Sequence, residues 1–90
     1  MGASRMTTWL EKFGEQNGWI ECDEATAIKM ANNGYPTVAA GTNTGHVAMV
    51  APQNEGETGV YLSQAGATNG NHLPINKCFG KYSVKYFYHL

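Results

Sequence analysis

The alternation of apolar and polar positions changes period once along the chain, near Gly34. Before that point apolar side chains recur at helical spacing. Trp9, Leu10 and Phe13 form one stripe, and the pattern predicts a helix over 8–17, with Thr8 and Glu11 at capping-box spacing and Gly18 as its stop. A second helix is predicted over 23–33. Asp23 suits the N-cap, and Glu24 lies near the positive end of the helix dipole. Ala25 and Ile28, with Ala27 or Ala31, are its expected buried face, and Asn32-Asn33-Gly34 closes it. Tyr35-Pro36 then requires extended backbone.

Beyond Gly34 the runs are short and apolar or alternate with period two. Strands are predicted over 36–40, 46–50, 60–64 and 81–89, separated by turns rich in Gly, Asn and Thr. The run 36–40 is apolar throughout, as expected of a strand covered on both faces. The last strand alternates, with Tyr82, Val84, Tyr86 and Tyr88 against Ser83, Lys85, Phe87 and His89. The expected fold class is α+β: two short N-terminal helices packed on one face of a small antiparallel four-stranded meander sheet. Residues 1–90 read as a single domain without an internal repeat.

Charge and cysteine usage narrow the function. The net charge is −1, and the Lys and Arg residues are scattered from Arg5 to Lys85, so no basic stripe offers itself to nucleic acid. No apolar run approaches a membrane span, and no signal-peptide pattern opens the chain. Cys22 and Cys78 lack CxxC spacing, and the histidines lack HExxH or HxH spacing, so neither a metal site nor any cofactor is expected. No GxSxG elbow points to a serine nucleophile.

The chemistry that remains centres on His46. It follows Gly45 and heads the run Val47-Ala48-Met49-Val50, where rigid backbone would hold an imidazole able to act as a base near neutral pH. A histidine in a turn satisfies the same pattern. Gln64 ends the next predicted strand and shares a face with Val60 and Leu62. Its carboxamide could fix the tautomer of His46, or could bond to nearby backbone instead. Cys22 immediately precedes the second helix, where the dipole favours thiolate. Against this, Glu21, Asp23 and Glu24 crowd it with negative charge, and only one helix and one strand separate it from His46. Trp9 and Phe13 read as core, with a sugar-stacking platform as the alternative, and Asn69, Asn71 and His72 lie in a Gly-rich loop able to line a cleft or to be solvated.

The runs EATAIKMANNGYPTVAAGTNTGHVAMVAPQ, GVYLSQAGATNGN and KCFGKYSVKYFYH together resemble the C-terminal part of papain-like peptidoglycan cysteine hydrolases of the CHAP and NlpC type, including phage endolysin-type proteins. The resemblance covers roughly residues 19–89, with the GHVA-type strand as its distinctive piece. It implies an amidase or endopeptidase acting on peptidoglycan or a cell-wall peptide, in the wall, the periplasm or outside the cell. His46 matches the family's base, and Gln64, with Asn69 as the alternative, matches the residue that orients it. The family's cysteine heads a helix well upstream of the histidine, and nothing here matches it convincingly, so the nucleophile is expected outside this chain unless Cys22 serves. A catalytically inactive module that binds cell wall or protein, holding glycopeptide between Trp19, His46 and the 66–74 loop, is the alternative. A third reading is a protein partner bound through the aromatic strand 81–89.

Overall fold

The computed structural model describes residues 9–41, 47–63, 72–75 and 84–90. Within them the fold is α+β. Helix α1 occupies 9–13, and a 3-10 turn follows at Glu15–Asn17. Strand β1 is Trp19–Cys22 and helix α2 is Glu24–Asn32. The remaining strands are β2 (Thr37–Gly41), β3 (Val47–Ala51), β4 (Tyr61–Ser63), β5 (Leu73–Pro74) and β6 (Val84–His89). They form one six-stranded sheet in the order β1-β6-β2-β3-β4-β5, and every pairing is antiparallel.

The expected four-stranded meander is therefore corrected in two ways. Two strands are added, β1 and β5, and β6 lies between β1 and β2 instead of following β4 at an edge. β1 escapes a local reading because its four residues, Trp-Ile-Glu-Cys, carry no clean alternation, and its partner β6 is at the other end of the chain. β5 is two residues long and includes Pro74, which limits it to an edge.

The helices also divide between the faces. Ala27 and Ala31 of α2 pack with Ala39, Ala48, Val50, Leu62 and Tyr86, whereas Leu10 of α1 packs with Val38, Ala40 and Phe87. The sheet is thus covered on both sides, and this is why β2, third in the order, is buried at every residue. The two apolar sets of β6 are both used, Tyr86 toward α2 and Phe87 toward α1.

Local chemistry sets the helix limits. The Asp23 carboxylate accepts a hydrogen bond from the Thr26 N–H at 2.8 Å, so the N-cap expectation holds. At the other end the N–H of Gly34 donates to the Ala31 carbonyl and that of Tyr35 to the Met30 carbonyl, both at 3.0 Å. This double closure requires the left-handed φ of 86° that Gly34 adopts. The face buried by α2 is Ala27 and Ala31, with Ile28 partly buried, whereas Ala25 is exposed. The first helix is shorter than 8–17: helical geometry ends at 13, and Gly18 at φ 87° terminates the 3-10 turn. Thr8, the proposed cap, lies outside the described residues.

Candidate functional site

β3 and β4 are neighbours, with Met49 opposite Ser63 and Val50 opposite Leu62. In an antiparallel pair the start of one strand lies beside the end of the other. His46 is the residue before Val47 and Gln64 the residue after Ser63 in sequence; both, together with Asn69 and Cys78, lie outside the described residues. The described strands thus bring the sequence neighbours of His46 and Gln64 to one end of the sheet.

Cys22 is differently placed. It sits on β1 opposite Tyr86, which pairs with Ala39, which pairs with Ala48. Three strand spacings of roughly 4.8 Å put about 14 Å between the Cys22 and Ala48 backbones. Its side chain is partly buried against the core under α2. Burial, with the Asp23 and Glu21 carboxylates beside it, pushes the thiol up to about 11. Asp23 has also already used a donor of the α2 N-terminus. At neutral pH Cys22 is a protonated thiol on a strand that is not adjacent to β3, which sets it against the role of nucleophile.

Trp19 lies at the far end of β1, opposite His89, and meets that ring edge-on with centroids 5.1 Å apart and planes at 78°. It lines a groove of about 360 Å³ together with Leu10, Glu11, Glu15, Glu21 and Phe87. The groove is formed by α1 and the β1 edge. β6 and β2 stand between β1 and β3. Of the expected cleft of Trp19, His46 and the 66–74 loop, His46 and most of the loop lie outside the described residues; Trp19 and Val47 are both partly buried against the cluster of Leu10, Val38, Ala40 and Phe87.

A different imidazole is held in a defined geometry. His72 Nε2 lies 2.6 Å from Glu57 Oε1, and the His72 ring stacks on Tyr61 with centroids 4.7 Å apart and planes within 7°. The same Glu57 oxygen accepts from the Asn54 N–H at 2.6 Å. The His72 contact, followed by that of Asn54, holds the Glu57 carboxyl below its ordinary range. The loop bearing Glu57 is fastened elsewhere by Gln53. Its N–H donates to Asn32 Oδ1 at 2.8 Å, and its amide donates to the Gly59 carbonyl at 2.8 Å. Sequence reasoning treated His72 only as a loop residue, because Glu57 and His72 are 15 positions apart and no short motif joins them.

Among the described residues no three His, Cys, Asp or Glu side chains converge as a metal site, and no helix is long and apolar enough to cross a membrane. No family model, curated protein or solved structure matches this chain.

Proposed function

We propose that this chain is a peptidoglycan amide-bond hydrolase-like domain of papain-like type, with His46 as general base and Gln64 as the residue that orients it. The observation that carries the reading is the antiparallel β3–β4 pairing, which brings the strands flanking the two residues together at one end. An imidazole with one nitrogen held by a carboxamide keeps the other available to take a thiol proton and later to protonate the leaving amine. The neutral, distant Cys22 requires that the thiol come from another segment.

The same property of Cys22 favours one second reading, a module that binds the cell wall without cutting it. Release of soluble fragments from purified peptidoglycan separates the two. On the hydrolase reading, in a polypeptide that also carries the segment with the nucleophilic thiol, His46→Ala lowers turnover about 100-fold or more, whereas Cys22→Ser leaves it within a few-fold. Wild-type protein that sediments with peptidoglycan yet releases nothing supports the binding module. Turnover that survives His46→Ala removes the base assignment.

A further inference from the structure

The two described histidines differ in what their ring nitrogens touch. His89 is engaged at both: Nδ1 lies 2.8 Å from the Leu90 carbonyl oxygen and Nε2 lies 2.9 Å from that of Asn17. Both nitrogens thus face carbonyl oxygens, and neither is left clear for a ligand. His72 is engaged at one. Glu57, as a carboxylate, can only accept, so a neutral His72 ring must carry its proton on Nε2. Nδ1 is then an unprotonated acceptor, with no hydrogen-bond partner among the described residues. The side chain is 28% exposed, so solvent reaches it.

The ring is also fixed in position. Tyr61 flanks Leu62, which is buried under α2, so Tyr61 and the His72 stacked on it lie on the face away from α2. Stacking on Tyr61 and the bond to Glu57 together remove both the tilt and the spin of the imidazole. A carboxylate on one nitrogen, a second nitrogen without a partner among the described residues and a fixed plane match what a general base requires.

We propose that His72 is a base site in its own right, separate from His46, that activates water toward activated acyl groups such as esters and thioesters, with Glu57 as its positioning residue. Water bonded to Nδ1 gives that nitrogen one proton as its oxygen attacks the acyl carbon. The bond to the alkoxide, phenolate or thiolate breaks, the carboxylic acid forms, and the imidazolium releases its proton to the leaving group or to solvent. Glu57 holds the cationic ring while it exists.

The test is hydrolysis of p-nitrophenyl acetate by the full chain, read with ¹⁵N spectra of the imidazoles. His72→Gln retains a hydrogen bond to Glu57 and is expected to lower the rate about tenfold or more. Glu57→Gln keeps the contact but removes the charge. It is expected to lower the rate and move the acidic limb of the pH profile to lower pH, a shift that lost packing alone does not produce. The neutral His72 ring is expected to carry its proton on Nε2, and the reaction is expected to slow in D₂O. A His72→Gln variant at the wild-type rate, or a proton found on Nδ1, overturns the proposal. So does a loss confined to His46→Ala, which would assign the reactivity to His46 and leave the hydrolase reading standing. The His72 site does not depend on that reading: ester hydrolysis lost in His72→Gln, with no peptidoglycan turnover, supports the one and removes the other.

Discussion

At Gly18 two constraints meet on one atom. Its φ of 87° lies in the left-handed region, and a Cβ built there would stand 2.6 Å from His89 Nε2. The ring could yield only by giving up its contact with the Asn17 carbonyl, which ties the 3-10 turn at Glu15–Asn17 to β6. Gly18→Ala is therefore expected to cost roughly 1–3 kcal/mol in denaturant unfolding. Gly34→Ala is the matched control, because Gly34 has the same sign of φ and open space around it, so only the backbone part of the cost remains. A Gly18 variant no worse than the Gly34 variant would show that the His89 contact contributes nothing. The residue scale also separates what sequence can and cannot show. Asp23 was legible as a cap because the signal lies within a few positions. The partnership of Glu57 with His72 was not, because it depends on β4 and β5 being neighbours.

Among the elements, β2 and α2 were readable from pattern alone, and for the same reason. An unbroken apolar run and a capped helix are both short-range signals. β1 was not, since Trp19 to Cys22 become a strand only through β6. The candidate site divides the same way. His46 and Gln64 were chosen from their places at strand ends, and the β3–β4 pairing is the expected one, whereas the distance of Cys22 from β3 follows from the insertion of β6 and could not be read from spacing. The core under α2 centres on Leu62, which has no exposed surface and is opposite Val50 on β3. Leu62→Ala leaves a hole that the small neighbours Ala27, Ala31, Ala39 and Ala48 cannot fill, with an expected loss of about 2–5 kcal/mol by chemical denaturation. A loss below that of an ordinary surface substitution would mean that the α2 face is not the stabilising core.

For the whole molecule, stability is expected to fall at both ends of the pH range, for different reasons. Asp23 and Glu57 are held below the ordinary carboxylate range, Asp23 chiefly by the Thr26 side chain and then the Thr26 N–H, Glu57 chiefly by His72. Their contribution is present above the unfolded carboxylate range and is lost as pH falls through the lowered folded values. In alkali the sign reverses. Burial, with lesser help from neighbouring carboxylates, pushes the Cys22 thiol up to about 11 and the Tyr86 hydroxyl up to about 12. The unfolded chain then ionises first, and the folded state loses ground as pH rises past the ordinary thiol and phenol values. Thermal melts across pH should show both limbs, with Cys22→Ala flattening the alkaline one; an unchanged alkaline limb in that variant would place its origin at Tyr86. The position of β6 has a further consequence, for the time order of folding. β6 is synthesised after every other described strand, and it is the only described strand that pairs with both β1 and β2. Until residues 84–89 have left the ribosome, the Trp19–Cys22 strand has no rail to run along, and bringing it there closes the long loop between β1 and β6. A vectorially emerging polypeptide would hold its hairpins before its sheet closes, which makes β6 the latch of the described sheet.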